Sequence, residues 1–419
     1  MSQGFEVCFF CRSPTGDVPR AKTEGHTCCW KRLLLEAARK SCQQRRVWCV
    51  LIGVRQGRMK APGDPAYAFY HCISRVVDRR FVLGQPEKDQ FLHFMREYEA
   101  FCGVSAVTFC VMDNHFHILL RVPKAPETPL TDEELLTRVE CLSGTGGSQT
   151  TRQQLTWFRE RNQPEAAEAL RRRFLVRMWD LSAFMKALKQ RFSQWFNKKH
   201  QRQGTLWESR FKSVLVESEG EALSTMAAYI DLNAVRAKLA SDPMQYRWSG
   251  YGQAMAGDRC AQEGLRLVTA GAQRIAPESL SLEEAMRQYR MWLFVQGEQN
   301  EGTDADGQPL RRGFSPEEVW EVIRRQGRVP VKDYVKLRVR YFVDGVVMGS
   351  RGYVNQVFEA FRSRFGPKRK DGARRMRGVE STNLYVLRDL KRDVIGWVEK
   401  AVAPAEATGP TTGATLPSG

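Results

Sequence analysis

Two histidines one position apart, His115 and His117, are the feature that most constrains what this chain can fold into. The apolar run before them, residues 104–112, is rich in β-branched and aromatic side chains, which is typical of a strand. The Asp-Asn pair after this run is a favoured two-residue hairpin connection. The pattern therefore predicts that residues 115–122 return as a second, antiparallel strand.

Alternation along the returning strand places both histidines on one side of the predicted sheet. Successive side chains of a strand point to opposite faces, so His115, His117 and Arg121 share a face. Two imidazoles that project together can hold one divalent metal ion, and a pair of surface or packing histidines is the alternative. The opposite face is predicted to be the core face because it is entirely apolar: Phe116, Ile118, Leu120 and Val122.

The elements around this hairpin predict an α+β fold. Residues 67–77 alternate as a strand, and residues 86–101 have the apolar spacing of a helix that begins at a proline. Strand, helix, strand, strand is the first part of a ferredoxin-like (RRM-like) unit, and a fourth strand is predicted over 205–217. We expect an antiparallel sheet with helices on one side, followed by a mostly helical C-terminal region.

The charge of the chain suggests a polyanionic partner. The 419 residues include 65 Lys and Arg against 47 Asp and Glu, a formal net charge of +18, so nucleic acid is the first expectation. Residues 171–215 hold twelve of these cations against two acids. Lys186 and Lys189 on a predicted helix, and Arg210 and Lys212 on the fourth strand, are candidates for DNA phosphates; a solvated charged face is the alternative.

The lengths of the apolar runs and the spacing of the cysteines indicate where in the cell the protein is expected. The longest apolar run near the start, residues 47–54, is far shorter than the ~18–20 residues that a membrane span needs, so no membrane partner is expected. Eleven irregularly spaced cysteines are typical of reduced thiols in the cytoplasm. For a DNA-binding protein, we expect a cytoplasmic location in association with the nucleoid.

The first 58 residues differ in character from the rest of the chain. They contain Cys8-x-x-Cys11 and a later Cys28-Cys29 pair, but this spacing does not match the common zinc finger and ribbon patterns. A poorly ordered extension is therefore expected in place of a zinc site. Met59 is an alternative natural start of the protein.

A second candidate stretch is a predicted helix over residues 221–236. Tyr229, Asn233 and Arg236 lie on one of its faces, at positions i, i+4 and i+7. Asn233 offers a carbonyl oxygen to a hard divalent ion, and Tyr229 offers a hydroxyl nucleophile. For each residue alone the ordinary structural roles are packing and helix capping.

Four further stretches of the chain lie within about residues 60–255: Tyr70–Arg75, Met112–Leu120, Gly204–Ser213 and Tyr229–Ala237. In this order they resemble the motifs of the single-tyrosine HUH transposases of small bacterial insertion sequences, especially the REP-associated tyrosine transposases. Ala234 departs from the family, which commonly has proline there, and we expect this to alter the helix end and not the chemistry.

This resemblance implies a metal-assisted reaction on single-stranded, hairpin-containing DNA. His115, His117 and Asn233 would bind Mg²⁺ or Mn²⁺, and Tyr229 would attack a phosphodiester to give a 5′-phosphotyrosine before strand transfer. Arg121 and Arg236 would join the basic residues named above as DNA contacts. The protein would act as a monomer or homodimer in DNA transposition.

Two alternative functions remain open, and the chain is expected to divide into five segments. The alternatives are a domesticated or non-catalytic nucleic-acid-binding protein and a nicking endonuclease of the replication-initiator type. The expected segments are an N-terminal extension (1–58), a catalytic domain (59–255) with an insertion (123–179), a helix and linker (256–313), a helical basic accessory domain that could bind DNA (314–400) and a disordered tail (401–419).

Overall fold

Four antiparallel strands form the centre of the computed structural model: β1 (Tyr67–Arg75), β2 (Ser105–Val111), β3 (His115–Pro123) and β4 (Lys212–Val216). Their spatial order, β2-β3-β1-β4, is that of a ferredoxin-like sheet. Helix α1 (Gln85–Cys102) joins the first two strands. The predicted α+β class and the hairpin that carries the histidines are therefore confirmed.

The structure describes residues 58–296, 340–343, 345–367, 369–376 and 383–388. The chain divides into two units, Met1–Arg58 and Met59–Gly419. The expectations for a zinc site or an extension before residue 58, for the linker after residue 296 and for the tail all fall outside the described residues. None of the helices in the described ranges is both long and apolar enough to cross a membrane.

One face of the sheet packs on α1 and on α4 (Leu181–Lys199) through aromatic side chains. Phe116 of β3 lies with its ring centroid 4.7 Å from that of Phe91, and Phe192 of α4 contacts the same ring at 5.3 Å. These rings are fully buried, and each contributes roughly 2–3 kcal/mol through the transfer of apolar surface from water. This is the predicted core face.

The opposite face of the sheet is also covered, by α5 (Glu221–Asp231) and α8 (Arg259–Gln273). The fold class holds, but helices lie on both sides of the sheet and not on one. The reason is visible in the strands: the histidine face also carries Phe69, Ile73 and Leu119, all buried. This face carries apolar side chains between its polar ones. A second helical layer that excludes water from them lowers the free energy of the folded state.

The insertion after β3 is helical. It consists of α2 (Asp132–Glu160) and α3 (Pro164–Leu175), which precede α4. Thr131 begins α2 with a capping box. Its hydroxyl accepts a hydrogen bond from the backbone amide of Glu134, and the Glu134 carboxylate accepts one from the backbone amide of Thr131.

The C-terminal region contributes both helices and strands. Three short strands extend the sheet to seven, in the order β2-β3-β1-β4-β5-β7-β6, with β5 parallel to β4. Strands of two or three residues are too short for alternation to reveal, so the sequence predicted only the helices. The elements are α6 (Asn233–Arg236), α7 (Gly250–Met255), α9 (Leu282–Gln296), α10 (Arg340–Val343), β5 (Val347–Gly349), α11 (Arg351–Ala360), β6 (Arg374–Arg375) and β7 (Tyr385–Leu387).

Helix α8 approaches the sheet closely where β2 is irregular. The register of β2 against β3 shifts between Ala106 and Thr108, which leaves Val107 as a bulge. A Cβ atom added to Gly264 of α8 would lie 2.1 Å from the Val107 carbonyl oxygen. Glycine is therefore required at this contact between the helix and the strand.

The substitution Gly264→Ala is expected to destabilise the protein by about 2–4 kcal/mol, because backbone and not a flexible side chain meets the new methyl group. Gly146→Ala, in helix α2, is the matched control. A Cβ there meets nothing within 4 Å, so the change is expected to be neutral or to stabilise by up to about 1 kcal/mol. Urea unfolding measures both, and equal effects would contradict the close approach.

Candidate active site

The turn that presents the histidines is fixed from two sides. The Met112 amide donates to the His115 carbonyl across the hairpin at 2.8 Å. The Lys88 ammonium, itself buried, pairs with Asp113 at 2.5 Å. At the other end of the turn, the Asn114 side-chain oxygen lies 2.6 Å from Nδ1 of His115. These contacts orient the first histidine before any ligand binds.

The two predicted histidines lie side by side, and the second of them contacts a third imidazole. The ring centroids of His115 and His117 are 5.0 Å apart. Nδ1 of His117 lies 2.9 Å from Nε2 of His71, a residue of β1 that the sequence analysis did not single out. The sequence did offer a sign of it, because His71 and His117 fall on the same face once β1 and β3 pair in their register.

Tyr229 lies against these imidazoles, as the motif resemblance implies. Its ring centroid is 5.6 Å from that of His117 and 6.0 Å from that of His71. On its other side the ring stacks on Phe342 of α10, with centroids 4.2 Å apart and planes inclined by 4°. Only 4% of Tyr229 is exposed, so the nucleophile candidate is enclosed by the sheet and the C-terminal region.

Asn233 and Arg236 hold the segment that carries Tyr229. The predicted helix over 221–236 is divided into α5 and α6, with Leu232 between them. The side-chain amide of Asn233 donates to the Tyr229 carbonyl at 2.7 Å, and a guanidinium nitrogen of Arg236 donates to the same oxygen at 2.9 Å. The amide oxygen of Asn233 is thereby turned away from that carbonyl.

A buried carboxylate anchors the end of α5 two residues after Tyr229. Asp231 accepts from the Thr108 hydroxyl at 2.7 Å, from the Tyr289 hydroxyl at 2.5 Å and from the Tyr251 amide at 3.2 Å. Burial raises the pKa of Asp231 to about 6 despite these donors. The helix that carries the tyrosine is thus tied to β2, α7 and α9 at one point.

Burial keeps the three imidazoles neutral near pH 7. Desolvation lowers the pKa of His71 to about 3 and that of His117 well below its usual value. Desolvation, together with the positive charge of Arg75, lowers the pKa of His115 to about 4. A neutral imidazole is the form that ligates a metal.

The residues present fit a divalent metal ion. His115 directs Nδ1 to Asn114, and His117 directs Nδ1 to His71, so Nε2 of each ring remains for a ligand. Imidazole nitrogens and the side-chain oxygen of an asparagine such as Asn233 are donor types that Mn²⁺ or Mg²⁺ accepts. In the described part of the chain, no group of three or more His, Cys, Asp or Glu side chains could hold a metal, so a three-ligand site here needs a donor of another type, such as Asn233.

The lysines of α4 lie on the face of the sheet opposite the histidines. Lys186 is exposed there. Lys189 is buried, and its ammonium donates to the Ser209 carbonyl at 2.9 Å and lies 5.5 Å from the Trp207 ring centroid. Desolvation lowers the pKa of Lys189 to about 8. The expectation that Lys189 contacts DNA is corrected, because a buried ammonium bound to a carbonyl stabilises packing.

The remaining basic candidates lie on or near the histidine face. Lys212 is exposed on β4. It pairs with Ile73 of β1, which pairs in turn with His117 of β3, so the three side chains lie on the same face. Arg210 is exposed just before it. The guanidinium of Arg121 lies 4.4 Å from the Tyr67 ring centroid, towards the other end of β3.

Arg75 is a further cation at the site and was not among the residues predicted from the sequence. It pairs directly with His115 across β1 and β3, and its side chain is exposed. Its position follows from strand register, which could have been read from the sequence only after β1 and β3 were aligned.

Acidification is expected to destabilise the protein between pH 7 and pH 5. The unfolded chain binds a proton on each imidazole near pH 6.5, whereas folded His71 and His115 do not until about pH 3–4, so stability falls with pH by about 2 kcal/mol per histidine. Asp231 has the opposite effect, because its raised pKa of about 6 lets the folded chain take up a proton there before the unfolded chain does. This offsets about 1 kcal/mol of the lost stability. Urea unfolding at both pH values measures this, and Asp231→Asn is expected to steepen the loss. Stability that is constant or rises on acidification would contradict buried neutral histidines.

Comparison with known protein families matches one segment of the chain. Residues 67–129 match the model of a family described as transposase IS200 like. Among curated proteins none matches the chain.

Two solved structures are similar to the chain at low sequence identity. One is a REP-associated tyrosine transposase bound to a REP hairpin, with 11% identity, a TM-score of 0.30, and coverage of 49% of this chain and 87% of that one. The other is a provisionally assigned transposase from Deinococcus radiodurans R1, with 16% identity, a TM-score of 0.21, and coverage of 44% and 92%. The family match spans β1, α1 and the hairpin with both histidines, so this segment of the chain is similar to the IS200-like transposases.

Proposed function

We propose that the protein is a single-strand DNA transposase in which Tyr229 is the nucleophile. The observation that carries this proposal is the position of the Tyr229 ring, with its centroid 5.6 Å from that of His117 and on the face of the sheet that the histidines occupy. A tyrosine beside neutral imidazoles that can hold a metal ion is the arrangement that phosphodiester cleavage by a hydroxyl nucleophile needs.

His115, His117 and Asn233 would hold Mg²⁺ or Mn²⁺. When bound, the ion supplies a positive charge that polarises the scissile phosphate and stabilises the charge that develops on it. The two histidines contribute neutral Nε2 atoms, so binding near pH 7 displaces no proton from them. Arg75 and Arg236 add positive charge near His117. The charge of each lowers the pKa of that histidine.

The reaction proceeds at the hydroxyl oxygen of Tyr229. This oxygen forms a bond to phosphorus and loses its proton to solvent, while the bond from phosphorus to the 3′-oxygen breaks and that oxygen takes up a proton. The products are a 5′-phosphotyrosine and a free 3′-hydroxyl. Attack by a 3′-hydroxyl on the phosphotyrosine reverses these changes, so strand transfer needs no nucleotide cofactor.

The substrate we propose is a single strand with a hairpin, held along the edge of the histidine face. Exposed Arg75, Arg210 and Lys212 lie at the end of the sheet where β3 begins, and their charges suit a phosphate backbone. Lys186 lies across the sheet from the proposed reaction, so we do not include it among the contacts near the scissile phosphate.

Incubation of the full chain with a hairpin-containing single strand and Mn²⁺ is expected to give a covalent protein–DNA adduct, seen by denaturing electrophoresis. Tyr229→Phe is expected to give none, because the nucleophilic oxygen is removed while the ring stack on Phe342 is kept. Tyr67→Phe, at an exposed tyrosine of β1, is the matched control and should retain the adduct. An adduct formed by Tyr229→Phe would refute the assignment, and strand binding with no adduct would indicate a non-catalytic nucleic-acid-binding protein.

The two histidines are expected to differ when each is replaced by alanine. Both changes should abolish Mn²⁺-dependent adduct formation. His115 is only partly buried, so its removal should cost little stability, whereas His117 is 1% exposed beneath α5 and its removal should cost roughly 2–4 kcal/mol. Adduct assays and urea unfolding test this, and retained Mn²⁺-dependent activity in either variant would contradict the ligand roles.

A further inference from the structure

We propose that His71 is a positioning residue that fixes the tautomer of His117, so that Nε2 of His117 presents its lone pair to the metal. This inference rests on the proposed metal-binding role of His117. It goes beyond that role because it assigns a function to a buried histidine that contacts neither substrate nor metal.

The direction of the hydrogen bonds follows from a single backbone carbonyl. Nδ1 of His71 lies 3.1 Å from the carbonyl oxygen of Phe342, and a carbonyl only accepts, so Nδ1 carries the hydrogen and donates it. A neutral imidazole has one N–H group, so Nε2 of His71 has a lone pair. That lone pair faces Nδ1 of His117 at 2.9 Å, and His117 must therefore donate. Nε2 of His117 is then left unprotonated.

The neutral state of His71 follows from its surroundings. The side chain is 0% exposed, and its hydrogen-bond partners are a carbonyl and an imidazole and not a carboxylate. An imidazolium buried without a counter-ion would cost several kcal/mol.

The effect on the metal site is preorganisation. Histidine ligands commonly donate their second N–H to an acceptor that orients the ring, usually a carboxylate or a carbonyl. Here the acceptor is an imidazole whose own direction is set by Phe342 of α10. The ring planes of His71 and His117 are inclined by 16° with centroids 5.1 Å apart, so the two rings are nearly parallel across their hydrogen bond.

The tautomers can be measured in the metal-free full chain with ¹⁵N-labelled histidine. There are six histidines, and single variants assign them in a long-range ¹H–¹⁵N correlation spectrum. Free histidine favours the Nε2–H tautomer, so the expected Nδ1–H form of both His71 and His117 would be distinctive. An Nε2–H form of His117 would overturn the proposal, and this result requires no variant of His71 to fold.

Mn²⁺ titration followed by electron paramagnetic resonance gives the second test, without DNA. His71→Phe keeps a ring in the cavity but removes both nitrogens, and is expected to weaken Mn²⁺ binding by about 10- to 100-fold. His93→Phe is the matched control: it makes the same change at an exposed histidine of α1 that pairs with Glu97, so affinity should stay within about twofold. Unchanged affinity in a folded His71→Phe variant would overturn the proposal. If His117→Ala also left Mn²⁺ binding unchanged, the proposed metal site itself would fail, which separates the two outcomes.

Discussion

The burial of His117 between the central strands and helix α5 is the constraint on which the rest of the site depends. Because water is excluded there, the imidazole is neutral, its hydrogen bond to His71 has a defined direction, and the Tyr229 ring lies against it. A histidine pair on an open sheet face would have none of these properties. Burial therefore accounts for both the arrangement of these side chains and the acid sensitivity that we expect of the fold.

The C-terminal region takes part in this enclosure. Phe342 stacks on Tyr229 with its ring and accepts from His71 with its carbonyl. Just after it, β5 extends the sheet beside β4, and the Ser350 hydroxyl donates to Glu217 at 2.9 Å. Residues 340–388, where they are described, thus pack on the proposed catalytic unit. These contacts support the proposed site, and an accessory DNA-binding role of this region stays a prediction.

The sequence predicted the parts of this arrangement that depend on local pattern. Strand alternation identified the hairpin and its apolar face, and the order of motifs linked His115 and His117 to Tyr229 across about 110 residues. The sequence could not show that the histidine face is covered, because Phe69, Ile73 and Leu119 are ordinary strand residues until a second helical layer packs on them. The roles of His71 and Arg75 depend on register, and the short strands β5–β7 carry no detectable period. The prediction for Lys189 was wrong because a helical lysine at the edge of an apolar stripe can be exposed or buried.

The most direct test of the central claim is peptide mapping of the covalent adduct formed with a hairpin-containing single strand and Mn²⁺. After nuclease digestion, trypsin would release Ser213–Arg236, in which Tyr229 is the single tyrosine. Tandem mass spectrometry is expected to find this peptide enlarged by a nucleotide joined through phosphate to Tyr229. A nucleotide attached to any other peptide, with Ser213–Arg236 unmodified, would contradict the account.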